Sequence, residues 1–214
     1  MTIELYFSPQ PTRSARARWA FLEAGLPVAG HAVDVFKGEQ KQAAYLAVNP
    51  LGVVPTARIE GELVRESSAL ALVAATEGQG ELLPAVGSPA YRQAIQWVVF
   101  APAELDHLLV VLNAHRLFRP PAERDASVVE DYVARFDARA ALLVSTLGEG
   151  EYLVDDRFGV ADICVGHSIV WAKMHDLLTK HPVLEAYLAR LEERPSFQEV
   201  YGGPIQVFPD PHAA

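Results

Sequence analysis

Asn49-Pro50-Leu51-Gly52-Val53-Val54-Pro55-Thr56, followed shortly by Glu66-Ser67-Ser68-Ala69-Leu70, is the stretch on which the reading of this chain turns. Pro50 and Gly52 end any helix arriving from upstream, and Pro55, which has no N–H to donate, suits the first position of a strand. Thr56 to Ile59 and Glu62 to Val64 then flank Glu60-Gly61 as two strands flank a tight turn, and Ser68 to Thr76 reads as an apolar helix. Glu66 and Ser67 stand where that helix begins. Unpaired N–H groups and the positive end of the helix dipole favour an anion there.

Upstream of this stretch, Ile3 to Phe7 alternates as a strand, Ser14 to Ala24 is helical until Gly25 and Pro27, and Val28 to Val35 is a second strand. Lys41 to Val48 makes a short helix before Asn49-Pro50, so the order is βαβ-α-ββα. Downstream, Gly78, Gly80, Pro84, Gly87 and Pro89 interrupt every periodicity, and strand signals stop. Helical patterns follow at 90–115, 124–147, 160–177 and 182–193, with a short one at 196–202, and Pro204, Pro209 and Pro211 mark an irregular tail. The sequence therefore predicts an α/β domain at 1–77, a linker at 78–89, an all-α domain at 90–203 and a tail at 204–214.

Half of the 214 residues are hydrophobic, enough for a substantial core, and 18 basic against 27 acidic residues give a formal charge of −9. Such a surface repels phosphate backbones, which argues against nucleic acid as a partner. The most apolar stretches, Ala69 to Ala75 and Leu108 to Leu112, are far shorter than the roughly 18 uninterrupted apolar residues of a membrane span, so no membrane partner is expected. Met1 runs straight into a strand pattern without the basic and apolar regions of an export signal, and the expectation is a cytoplasmic chain. Cys164 is the only cysteine, which rules out an internal disulfide and a Cys-x-x-Cys pair. His107 and His115, and His167 and His175, are eight apart rather than the four that stack two ligands on one helix face, and no metal site is expected.

Val54-Pro55 before a strand, Asn-Pro-x-Gly just upstream, Glu66-Ser67 opening a helix, and Phe158-Gly159-Val160-Ala161-Asp162-Ile163 in the helical half together resemble the cytosolic glutathione transferase family over the chain up to Gly203. The resemblance is to bacterial-type members of the serine/threonine or tyrosine types; no cysteine stands in the loop where the cysteine type needs one. It implies a thioredoxin-like N-terminal domain, an all-helical C-terminal domain, glutathione as co-substrate and a homodimer joined through unlike domains. It further implies a cis Val54-Pro55 bond whose Val54 N–H and C=O pair with the cysteinyl backbone of glutathione. Ser67 would hold the γ-glutamyl carboxylate, Glu66 the α-ammonium, and Lys41 the glycyl carboxylate, with Lys37, Gln40 and Gln42 as neighbours in an open register. The plain alternatives are a strand-starting proline for Pro55, a helix cap for Ser67 and a solvated charge for Lys41.

In the helical half, Gly159 as N-cap places Asp162 at N3, where its carboxylate reaches back to the cap N–H, and Phe158 and Ile163 at staple positions. The family usually carries Ser or Thr where Gly159 stands.

The chemistry requires a thiolate. Lowering a thiol from about 8.5 by two units needs about 2.7 kcal/mol of preferential stabilisation, within reach of one hydroxyl donor and a helix N-terminus. Four hydroxyls compete: Thr12, Ser14, Tyr6 and Ser8, in that order, since Arg16-Ala17-Arg18 aligns with the first helix of serine-type members and brings Thr12 near their serine. Thr12 is also the natural cap of that helix, and Tyr6 a natural core residue of the first strand. Arg13, Arg16 and Arg18 read as solvated or dimer-facing, with aid to an anionic substrate as the alternative. Trp97, Phe100, Trp171 and Met174 either line an electrophile pocket or belong to the core. The implied activity is conjugation of the glutathione thiolate to a small, apolar electrophile. The alternatives are a non-catalytic interaction module, or glutathione-dependent isomerisation, dehalogenation or peroxide reduction.

Overall fold

A computed structural model describes residues 1–203 and Ile205. The expected tail at 204–214 otherwise lies outside the described residues. β1 (Ile3–Phe7) leads into α1 (Ser14–Glu23), β2 (Ala29–Ala32) and a short α2 (Ala43–Leu46). β3 (Thr56–Ile59), β4 (Glu62–Arg65) and α3 (Ser67–Glu77) complete the first half. The sheet is four-stranded in the order β2-β1-β3-β4, with β1 and β2 parallel and the other pairs antiparallel. Glu60 and Gly61 both have positive φ, +47° and +89°, the geometry of the tight hairpin turn between β3 and β4. Ile3, Leu5, Ala57 and Ile59 project from one face of the sheet and join Trp19, Phe21, Leu70, Ala71 and Ala74 of α1 and α3 in one core.

The second half is helical: α4 (Pro89–Phe100), α5 (His107–Asn113), α6 (Ala126–Leu147), α7 (Val160–Met174), α8 (Pro182–Glu192) and α9 (Pro195–Tyr201). α4 and α5 run on through wide π turns at Ala101–Asp106 and Ala114–Phe118, so that Pro89–Phe118 is one helical rod of 30 residues. Pro102 lies in the first π turn; having no N–H, it cannot keep the regular ladder there. The rod is long and apolar enough to cross a membrane, which the sequence reading did not expect because Glu104 and Asp106 interrupt its apolar run. Its packing against α6 and α7, with Leu105, Leu108, Leu109 and Leu112 at 0–1% exposure, makes it a core helix of the domain. α7 is the centre of this half: every residue from Val160 to Ala172 is buried.

Two seams join the halves. Trp19 of α1 packs edge-on against Phe197 of α9 at 5.2 Å, and Glu23 accepts from both Arg194 Nε and Nη2 at 2.6 and 2.7 Å, from Trp19 Nε1 at 3.1 Å and from Ser196. The other seam is built on Arg16.

Candidate functional site

The loop before β3 is organised by one buried side chain. Asn49 Nδ2 donates to the Val53 C=O at 2.8 Å and to Thr56 Oγ1 at 3.0 Å, while Asn49 Oδ1 accepts from the Leu51 N–H and from Arg65 Nε, both at 3.2 Å. Tyr45 of α2 adds its hydroxyl to the Val53 C=O at 2.7 Å. Gly52 is required here twice over: its φ is +59°, and a Cβ would lie 2.8 Å from the Gln40 C=O. The result is a fixed turn ending in a cis Val54–Pro55 bond. Among the described residues no hydrogen bond engages the Val54 N–H or C=O, so this backbone edge is open.

Glu66 adopts φ +70° at the N-cap of α3, and its exposed side chain makes no capping bond. Ser67 follows at 4% exposure, its Oγ accepting from Arg16 Nη1 at 2.8 Å. Lys41 is exposed and donates to the Leu51 C=O at 3.2 Å, on the outer side of the same loop.

The four hydroxyls occupy different environments. Ser14, the first residue of α1, is fully buried; its Oγ accepts from the Ser8 N–H and from the Thr12 hydroxyl, both at 3.1 Å. Ser8 is 1% exposed and gives its proton to Gln10 Oε1. Thr12 is half-buried, two residues before α1, with its Oγ1 accepting from the Ser14 N–H at 3.3 Å. Tyr6 alternates with buried Ile3 and Leu5, on the opposite face of β1, where it stacks on His31 at 4.7 Å and lies 6.0 Å from the Tyr45 ring. The sheet register Tyr6↔Thr56 brings Val54-Pro55 beside the end of β1, and Arg16 brings Ser67 to the first turn of α1. The open edge, the helix N-terminus and the hydroxyl loop thus meet at one place.

Arg16 is where the sequence reading fails: expected to be solvated or dimer-facing, it is 0% exposed. Beyond Ser67 it donates to Asp106 Oδ1 at 3.0 Å, to Ser168 Oγ at 3.2 Å and to the Cys164 C=O from Nε and Nη2 at 3.3 and 3.2 Å. Asp106 is equally buried and also accepts from Ser168 Oγ at 2.6 Å and from Arg13 Nε at 3.4 Å. Burial opposes the Asp106 charge, but Arg16, aided by Ser168 and Arg13, outweighs it and holds the carboxyl below its ordinary range. One signal was available: an aspartate inside an apolar helix must be paired. Trp171, at 9% exposure, donates from Nε1 to the Pro11 C=O at 2.6 Å, so the helical half also grips the hydroxyl loop.

At the start of α7, Asp162 Oδ2 accepts from the Gly159 N–H at 2.9 Å, as the spacing predicts, and Oδ1 accepts from the Leu153 N–H and the Tyr187 hydroxyl. Burial dominates over these bonds and pushes its carboxyl up to about 6. Cys164 is fully buried, which pushes its thiol up to about 11 and keeps it protonated. Among the described residues no three His, Cys, Asp or Glu side chains gather as metal ligands would.

The family model for the glutathione S-transferase N-terminal domain matches residues 12–77, and that for the glutathione S-transferase C-terminal domain matches 107–195. Glutathione S-transferase 3 of Zea mays is 27% identical over 209 residues, covering 92% of each chain. Glutathione S-transferase hmp2 of Hypomyces subiculosus is 30% identical over 173 residues, 76% of this chain and 79% of that one. A solved glutathione transferase family member from Pseudomonas fluorescens pf-5, with two glutathione bound, superposes with a TM-score of 0.83 at 24% identity, over 95% of this chain and 93% of that one. Matched in both halves and in the same order, the chain belongs to the glutathione S-transferase family.

Proposed function

We propose that this chain is a glutathione transferase: it binds glutathione on the N-terminal half, ionises the thiol, and joins the sulfur to a small electrophile held against the helical half. The observation that carries the reading is the meeting, at the end of β1, of the open Val54 edge, the N-terminus of α3 at Ser67 and the Thr12 hydroxyl. In this reading the Val54 N–H and C=O pair with the cysteinyl unit in strand fashion, Ser67 receives the γ-glutamyl carboxylate, Glu66 attracts the α-ammonium and Lys41 faces the glycyl carboxylate. The matched family and the glutathione in the Pseudomonas structure support it.

Thr12 is the hydroxyl we assign to the thiolate. Ser14 is fully buried, Ser8 is committed to Gln10, and Tyr6 projects to the other face of the sheet, whereas the half-buried Thr12 hydroxyl is free to turn from Ser14 to a sulfur. Once the thiol has lost its proton, the sulfur lone pair forms the new bond to carbon and a leaving group departs with its electron pair. The chain contributes a donor fixed in advance and a fixed orientation of the peptide.

We place the division between the two domains at 78–89, and we propose a homodimer. Apolar side chains exposed on both halves, Leu51 and Val53 on one and Val99 and Val110 on the other, favour it; sedimentation velocity tests it. For the activity, calorimetry with glutathione and a conjugation assay with an activated aryl halide are decisive. Binding with turnover is expected; binding without turnover would make the chain an interaction module, and the absence of both binding and turnover would overturn the reading.

A further inference from the structure

Ser14, which the sequence offers as a hydroxyl for the thiolate, is fully buried and has no surface to present to a ligand. It is the first residue of α1, and because helical side chains tilt toward the N-terminus, its Oγ is carried back over the loop that precedes the helix. There it ties the two ends of that loop together: it accepts from the Ser8 N–H, at the exit of β1, and from the Thr12 hydroxyl, each at 3.1 Å. An alanine, such as Ala15 and Ala17 beside it, would serve the helix as well. A buried hydroxyl costs desolvation and needs its hydrogen bonds in return.

The protons of the Thr12–Ser14 pair are unevenly used. A hydroxyl has one proton to give and two lone pairs to fill. Ser14 Oγ accepts twice, and among the described residues no hydrogen bond uses its own proton. Thr12 Oγ1 accepts from the Ser14 N–H at 3.3 Å and keeps a second lone pair to spare. With the two oxygens 3.1 Å apart, either hydroxyl can donate to the other, and passing between the two arrangements takes only a turn about each C–O bond. Neither oxygen has to move. The Thr12 main chain is fixed as well, its N–H donating to the Gln10 C=O at 2.7 Å and its C=O accepting from the Ala15 N–H at 2.9 Å.

We propose that Ser14 is the positioning residue behind Thr12: when a thiolate accepts a hydrogen bond from the Thr12 hydroxyl, Ser14 turns its own proton onto Thr12 Oγ1. Sulfur, Thr12, Ser14 and the Ser8 N–H then stand in one directed chain of hydrogen bonds. Each change is a rotation, and no proton changes owner. Thr12 Oγ1 is filled by the Ser14 N–H and the Ser14 hydroxyl, while the Ser8 N–H still reaches Ser14 Oγ. The bond that Thr12 gives up is thus replaced at once, and the buried Ser14 proton gains an acceptor. Hydrogen bonds in series polarise one another, so Thr12 donates to the sulfur more strongly than a lone hydroxyl does. The inference rests on the transferase reading and the Thr12 assignment above, and adds to them a residue that never touches the ligand.

The test follows the ionisation of protein-bound glutathione, read from the ultraviolet absorbance of its thiolate, around a double-mutant cycle. Ser14→Ala should raise the pH of half-ionisation by about half a unit to one unit and lower kcat/KM on the acid side of it by about three- to tenfold, with the glutathione dissociation constant unchanged within about twofold. Ser14→Thr, which keeps the hydroxyl, should titrate like the wild type. In the Thr12→Val background Ser14→Ala should add no further shift, because the link through which it acts is gone. An unchanged titration in Ser14→Ala, or the same shift with and without Thr12, overturns the relay and leaves the transferase reading standing; failure of the wild type to bind glutathione overturns both. Should Ser14→Ala not fold, a crystal structure of the wild-type glutathione complex decides. Thr12 Oγ1 should lie within hydrogen-bond distance of both the sulfur and Ser14 Oγ, and a Thr12 side chain that has left Ser14 to reach the sulfur overturns the inference.

Discussion

Of the serine and threonine hydroxyls around the end of β1, Thr12 alone combines partial exposure with a proton it can redirect, and this makes its substitution informative. Thr12→Val should lower kcat by about a hundredfold while the glutathione dissociation constant stays within about twofold, and Thr12→Ser should keep most of the activity. Tyr6→Phe should change little; steady-state kinetics and calorimetry on the three variants decide the assignment. A second single-residue consequence concerns pH. His167 is fully buried, with Nδ1 2.8 Å from the Tyr201 hydroxyl, and burial, reinforced by the Arg16 charge, pushes it down to about 3. Below about pH 6.5 the unfolded chain binds a proton there that the folded chain refuses, so stability falls with pH at about 1.4 kcal/mol per unit. Asp162, pushed up to about 6, works the other way: its folded form holds a proton between about pH 6 and 4 that the unfolded form has released. Comparing variants separates the two. Between pH 7 and 5 the wild type should lose about 2 kcal/mol more in urea denaturation than His167→Gln, and an equal loss would remove His167 from the account.

At the level of elements, most of the boundaries follow from punctuation in the sequence, and one apparent defect acquires a cause. Glycine stands at the cap of α7, where a hydroxyl residue is usual in the family, and capping alone makes this look like a small loss. The structure supplies the reason: a Cβ on Gly159 would lie 2.8 Å from the Leu82 C=O, which itself accepts the Val160 N–H at 2.8 Å. The Leu82 backbone occupies the room a side chain needs. Gly159→Ser should therefore destabilise by about 1–3 kcal/mol instead of gaining a cap, a difference thermal denaturation resolves. The turn before β3 shows the complementary limit. Pro50, Gly52 and Pro55 announce it, because each fixes or frees the backbone locally, but the four hydrogen bonds of the Asn49 side chain join residues that only the folded turn brings together. Local chemistry could be read from spacing; the partners of a polar side chain could not.

Across the whole molecule, the seam between the halves is held by charge as well as by apolar packing, and here the sequence was least legible. Arg16 lies among Ser14, Ala15, Ala17 and Trp19, and Asp106 lies 90 residues away in the long rod. Neither residue signals the other, because their pairing depends on how α1 meets the rod and α7. Asp106→Asn leaves the Arg16 guanidinium buried without its counter-charge and should cost about 3–5 kcal/mol in chemical denaturation; Arg16→Met/Asp106→Leu should recover much of that loss. The same double variant removes the donor to Ser67, so it should raise the KM for glutathione even where stability returns. The indole of Trp171, hydrogen-bonded to the Pro11 C=O, gives this seam a further property. Trp19 and Trp97, the other tryptophans, are 0% and 4% exposed in the interior, so Trp171 is the one fluorophore tied to the hydroxyl loop. The protein carries its own optical probe: with Trp19 and Trp97 replaced by phenylalanine, the emission of a single indole reports, without any label, whether that loop is occupied.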